Sequence, residues 1–143
     1  MDVERLLSAG MVRRVAAALG LATAAFGVTP LVAPQRFARM FGFAAPDAAT
    51  ASMMRSLGLR DAVMGLGLWS AAVHGGNYAP WLLGRALTDG GDALAVGWAA
   101  GRGWRTRGFL ALGALALGAT ALDAALYAAA KRQTRKSAGE DRR

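Results

Sequence analysis

Six ionisable side chains stand inside otherwise apolar stretches: Arg60, Asp61, Arg85, Asp89, Asp92 and Asp123. Carboxylates in such surroundings carry a proton, hold a cation or pair with a guanidinium, because an isolated charge away from water is too costly to persist. Arg85, Asp89 and Asp92 are spaced four and three residues apart, which places all three on one face of a helix with Arg85 one turn from Asp89. Thr120 and Tyr127 fall three before and four after Asp123, so their hydroxyls share its side of a helix and are supporting donors for its carboxyl. Four aspartates against two arginines leave two acidic groups in excess, to be protonated or balanced by a cation.

Catalytic chemistry finds little support. The run Asp89-Gly90-Gly91-Asp92 is similar to the acidic motifs that hold divalent metals in membrane phospho-alcohol transferases. Those enzymes continue with an arginine and a second aspartate pair, whereas Ala93, Leu94 and Ala95 follow here and no second pair exists. The Gly75-Gly76 turn lacks the lysine and hydroxyl context of a phosphate loop. The single histidine, His74, ends a helix, where a cap or a headgroup contact suits it better than a proton relay, and no serine, histidine and acid set can be assembled around it. One histidine and no cysteine exclude a multi-histidine or thiolate metal site and any disulfide framework. No catalytic residue, metal or cofactor is assigned, and a non-enzymatic protein is the expectation.

The elements that must position these charges are helices. The composition, 55% hydrophobic in 143 residues, suits one domain and is more apolar than a soluble domain of that length. Residues 15–33 hold no charge over a length that, at about 1.5 Å per residue, nearly crosses a hydrocarbon core of roughly 30 Å. The pattern predicts an all-α, integral membrane four-helix bundle occupying residues 1–143 as one domain, with spans near 13–33, 51–74, 80–100 and 108–130. Segment 34–44 has Phe37, Met40, Phe41 and Ala44 at helical spacing and reads as a short interfacial helix between helices one and two, or as an ordered loop covering the bundle end. Pro46 and Asp47 break the chain, Gly75, Gly76 and Asn77 make a tight turn, and Pro80 suits the first turn of the third helix. The basic tail, 131–143, reads as a frayed, disordered end.

Depth along each helix then limits which charges can meet. Counting from the ends near His74, Pro80 and Lys131 puts Arg85 about 7 Å in, Asp123 about 12 Å, Asp89 about 13 Å, Asp92 about 18 Å and Asp61 with Arg60 about 20 Å. The pairs so nominated are Arg60 with Asp92, and Arg85 with Asp89 or Asp123. Gly20 and Gly27, and likewise Gly58 and Gly65, permit close helix approach and carry no ligand role. Trp69, Trp81, Trp98 and Trp104 lie mostly toward span ends, as interfacial anchors do.

The formal charge of +8 sits in connectors and the tail rather than on one continuous surface interleaved with aromatics, so lipid headgroups, not nucleic acid, are the expected partners. Nine Lys/Arg, three before the first span and six in the tail, lie on the side of both termini, against five or six on the other. That bias predicts a multi-pass protein of the bacterial inner membrane with cytoplasmic N and C termini.

Arg55, Gly58, Arg60, Asp61 and Gly65 form an R-x-x-G-x-R-D-x-x-x-G pattern, followed by Asp89 and Asp92, with Pro34 and Phe41-Gly42-Phe43 ahead of it. On these residues the chain resembles a family of small, uncharacterised four-helix bacterial membrane proteins classed as a domain of unknown function, over roughly 11–130. DoxX-like membrane proteins are similar in size and layout and are the weaker relative. The resemblance implies a fold, not an activity. Two functional readings stand: an accessory subunit or a small-molecule or ion-binding bundle, and alternatively a small proton- or cation-coupled carrier built on the Asp/Arg cluster, with a homo-oligomer or larger membrane complex as context.

Overall fold

The computed structural model describes residues 9–43 and 47–140, and every described element is a helix. These are α1 (Ala9–Val32), α2 (Pro34–Met40), α3 (Ala48–Val73), α4 (Ala79–Gly101) and α5 (Arg107–Glu140). Local chemistry sets the boundaries. Asp47 begins α3 by accepting the Thr50 N–H at 2.8 Å, and that hydrogen bond holds its carboxyl below the usual aspartate range. Pro34 and Pro80 sit in first turns, where no N–H is needed. His74 closes α3, with its backbone N–H and its Nδ1 both 3.0 Å from Ser70 O, and Gly75 makes the turn beyond it at φ +79°.

Four membrane crossings do not survive. Two helical stretches, Gly10–Val32 and Arg107–Gln133, are long and apolar enough to cross a membrane. The helices expected to be spans two and three fail because Arg55, Arg60 and Asp61 interrupt α3, while Arg85, Asp89 and Asp92 fall within eight residues in the middle of α4. Charges at such density outweigh the leucines and valines around them. Among the described residues there are therefore five helices, of which two are candidate spans.

Of segment 34–44, Pro34–Met40 folds as the seven-residue α2, which docks on α3, and Ala44 lies outside the described residues. Phe37 and Ala38 are buried against Met54 of α3, whereas Met40 is 68% exposed although its spacing put it with Phe37. At the other terminus, helix continues through the basic residues to Glu140 where a frayed tail was expected. Alanine, lysine, arginine and glutamine are all good helix formers, and no glycine or proline intervenes before residue 139. The break expected at Pro46, and Arg5, Arg142 and Arg143 of the charge count, lie outside the described residues.

The helices associate as two antiparallel pairs. In the first, Gly20 of α1 opposes Gly65 of α3, and Gly27 opposes Gly58 one heptad further along. A Cβ on Gly20 would stand 2.6 Å from the Trp69 backbone nitrogen, and one on Gly27 2.6 Å from Ala62 N. Only glycine admits backbones this close, and the narrow interface gains dispersion contacts between the two helices. In the second pair α4 lies along α5, with Val96 set into the gap above Gly113 and Gly90 facing Thr120.

The pairs meet at the end where α1 begins and α5 reaches Ala130. There Val12, Ala16, Leu68, Ala72, Tyr78, Leu82 and Ala130 form one buried cluster drawn from both pairs. Burying a Leu68 or Leu82 side chain contributes roughly 1.5–3 kcal/mol. At the opposite end Thr106 Oγ1 donates to Phe41 O at 3.2 Å, and Trp104 rests against the rings of Phe43 and Phe109. Between those closures the pairs stand apart.

Candidate functional site

A cavity of about 640 Å³ fills the space between the pairs. Its walls are apolar, with Phe26 and Pro30 from α1, Met54 and Leu57 from α3, and Leu112 and Leu115 from α5. Phe37, Phe41, Phe43, Trp104 and Phe109 line the end where α2 and the α4–α5 connector lie, and Phe37 stacks edge-on against both Phe26 and Phe41. Toward the middle of the bundle the lining becomes polar, with Thr23, Arg60, Asp61, Arg85, Asp89 and Asp92. An elongated apolar chamber with a charged floor is the result.

The floor contains two ion centres on different helices. In one, Arg60 of α3 forms a fork with Asp92 of α4, Nη1 to Oδ1 at 3.1 Å and Nη2 to Oδ2 at 2.7 Å. Its Nε and Nη2 also donate to Oδ1 of Asp61, at 3.0 and 2.8 Å. A bidentate pair of this kind fixes orientation as well as distance, and it joins the first helix pair to the second.

The other centre is Arg85, 4% exposed in the interior of α4. Its Nε donates to Asp123 Oδ1 at 3.3 Å, its Nη2 lies 3.2 Å from Asp123 Oδ2 and 3.5 Å from Asp89 Oδ2, and its Nη1 donates to Thr23 Oγ1 at 2.6 Å. One guanidinium thus ties α4 to α5 and to α1. Asp89 Oδ2 and Asp123 Oδ2 are buried without a donor aligned on them, since Arg85 is near both but aims its N–H bonds elsewhere.

The six charged positions singled out by spacing and depth all meet in these two centres, and the residues offered as supporting hydroxyls do not. Thr120 turns back to donate to Ala116 O at 2.8 Å, the usual local bond of a threonine within a helix, and Tyr127 packs against the cluster around Leu82. The hydroxyl that does serve the site is Thr23, in the apolar run of α1. Its own proton goes to Leu19 O at 2.9 Å, which leaves the oxygen free to accept from Arg85. A polar side chain inside an uncharged span was the available signal, since lipid offers such a group no partner. The aromatic end of the chamber also went unread, because its five rings come from two stretches far apart in the chain, 37–43 and 104–109.

Among the described residues no three histidine, cysteine, aspartate or glutamate side chains are grouped so as to hold a metal ion. The Asp89-Gly90-Gly91-Asp92 run divides its carboxylates between the two arginines, Asp89 facing Arg85 and Asp92 gripping Arg60.

An all-helical protein with two helices of membrane-crossing length and apolarity, and an ion-paired network buried between helix pairs, is the class that fold and site define. Within it, the chain belongs to the family described as a domain of unknown function, DUF4267, whose model matches residues 20–131. No curated protein and no solved structure matches the chain.

Proposed function

We propose that this protein is a non-enzymatic, membrane-associated binding bundle for a small apolar molecule. The cavity carries the proposal: a space of about 640 Å³ with apolar walls and a few convergent polar groups has the size and composition of a small-molecule site. The distribution of polarity supports the membrane setting. Arg85 and Asp123 are inside, while Leu94 is 77% exposed, Val32 75%, Leu87 68% and Leu117 62%. Water penalises that arrangement, and a hydrocarbon surrounding favours it. In this reading α1 and α5 cross the membrane, α3 and α4 turn their charges inward beside them, and the Lys/Arg excess keeps both termini in the cytoplasm.

The test uses Trp104, which lines the cavity. Replace Trp69, Trp81 and Trp98 by Phe, reconstitute the protein in zwitterionic nanodiscs and titrate a brominated dodecanol, whose bromine quenches indole emission on contact. Saturable quenching, reversed by unbrominated dodecanol and weakened when Ala119→Phe fills the cavity, is the expected result. Quenching that rises linearly with probe and ignores Ala119→Phe would show partitioning alone and end the proposal.

A further inference from the structure

The end of the bundle where α2 meets the α4–α5 connector is basic and not neutralised. Arg36 and Arg39 on α2, Arg102 and Arg105 in the connector and Arg107 at the start of α5 are all exposed, and among the described residues none of them makes an ion pair. Asp47, the acid that follows α2 in the chain, caps α3 through the Thr50 N–H. The basic segments are fixed to one another, because Thr106 Oγ1 donates to Phe41 O and Gly108 packs on the Met40 carbonyl where a Cβ would not fit. A surface that holds like charges together in this way attracts an anionic partner.

Two of the arginines are oriented as well as exposed. A cleft of about 530 Å³ opens beside the connector, lined by Gly42, Trp98, Arg102, Trp104, Arg105 and Thr106. Arg102 lays its Cζ 3.6 Å from the centre of the Trp98 ring, a stacking contact that holds the guanidinium plane. Its in-plane N–H bonds have no acceptor among the described residues. Arg105 is anchored by Nε to Ala100 O at 2.9 Å, and both of its terminal nitrogens keep their N–H bonds unspent. Guanidinium edges presented in this way match the paired oxygens of a phosphate.

The apolar border of the cleft indicates where such a phosphate comes from. Trp98 and Leu94 are exposed four residues apart on one face of α4, leading away from the cleft, and Val32, Met40 and Leu110 are exposed in the segments around the same end. A soluble anion leaves these side chains in water, whereas a lipid covers them with its acyl chains. A zwitterionic lipid offers the same phosphate but brings its own cation, which the surplus of arginines repels.

Resting on the membrane setting above, we propose that this end of the bundle binds an anionic phospholipid, its phosphodiester held between Arg102 and Arg105 and its acyl chains running along Trp98 and Leu94.

Trp98 reports on the site. Replace Trp69, Trp81 and Trp104 by Phe, reconstitute the protein in phosphatidylcholine nanodiscs, and exchange the same small fraction of lipid for phosphatidylglycerol or phosphatidylcholine brominated near the head-group end of the acyl chains. Brominated phosphatidylglycerol should quench Trp98 as though enriched about fivefold over brominated phosphatidylcholine. High salt should abolish that preference in the parent, and so should Arg102→Gln with Arg105→Gln at low salt. Arg14→Gln, an exposed arginine at the other end of the bundle, should leave it unchanged. Equal quenching by the two lipids in the parent, or a preference that survives the double substitution, overturns the site while leaving the membrane setting in place. Loss of the preference on adding millimolar glycerol phosphate at constant ionic strength would assign the cleft to a soluble phosphate and likewise overturn the lipid. Absence of quenching by either lipid removes the membrane setting as well.

Discussion

Gly65→Ala probes the feature on which the fold depends most, the contact of α1 with α3. A Cβ at Gly65 would sit 2.6 Å from Gly20 O and 2.9 Å from Ala24 Cα, against the 3.4 Å at which ordinary contact begins. Both obstacles are backbone atoms of a packed helix, so no side-chain rotation relieves them and the helices must part by about 0.5–1 Å. A gap of that size forfeits roughly a quarter to a half of the dispersion energy of each contact it opens, and overpacking of this kind costs about 1–3 kcal/mol. Alanine recovers up to about 1 kcal/mol through its helix propensity, leaving a net loss of roughly 1–2 kcal/mol. Gly118→Ala is the internal reference, because a Cβ there meets nothing within 4 Å, and the same propensity makes it neutral or stabilising. The two variants should melt on the order of 5–12 °C apart in mild detergent, followed by tryptophan emission, with Gly65→Ala the lower. Gly20→Ala combined with Gly65→Ala should cost less than the sum of the two, since both act at one level of one interface. Coincident melting of Gly65→Ala and Gly118→Ala would refute the close helix crossing.

The ion centres make separate predictions. Arg85→Met strands Asp89 and Asp123 in an apolar interior and should cost about 3–5 kcal/mol in detergent unfolding, most of it restored by adding Asp123→Leu with Asp89→Asn. Arg60→Leu, Asp92→Leu and the double change form a thermodynamic cycle, for which the bidentate contact predicts coupling of about 0.5–3 kcal/mol, whereas independent losses would deny the pair. Thr23→Val keeps the shape but leaves Arg85 Nη1 without its acceptor, so it should lower stability by about 1–3 kcal/mol while Thr120→Val, whose hydroxyl serves only its own helix, changes little. The Asp47 cap has a folded pKa below its unfolded one, so its contribution is present above the ordinary aspartate value near about 3.9 and is lost as pH falls through the lower folded value. The protection factor at the first turn of α3, the exchange rate corrected for its intrinsic pH dependence, should therefore fall on acidification in the parent and be low at every pH in Asp47→Ala.

What the sequence determined by itself is what depends on neighbours along the chain. Uncharged runs, prolines in first turns and the glycine turn at Gly75 marked the helices, and spacing put Arg85 and Asp89 on one face with Asp92. Rise per residue was enough to nominate Arg60 with Asp92 and Arg85 with Asp89 or Asp123, because an antiparallel bundle converts residue number directly into height. Height says nothing of rotation about the axis or of which helix stands beside which. Only the tertiary structure decided that α1 locks onto α3 through opposed glycines, that α4 takes α5, and that the two pairs part to leave a chamber. It also decided that Thr23 rather than Thr120 or Tyr127 completes the Arg85 centre, and that charges in α3 and α4 leave two candidate spans rather than four. The reason is common to all of these: helix formation is a local hydrogen-bonding pattern, whereas a cavity is defined by side chains far apart in sequence whose proximity exists only once the pairs have assembled.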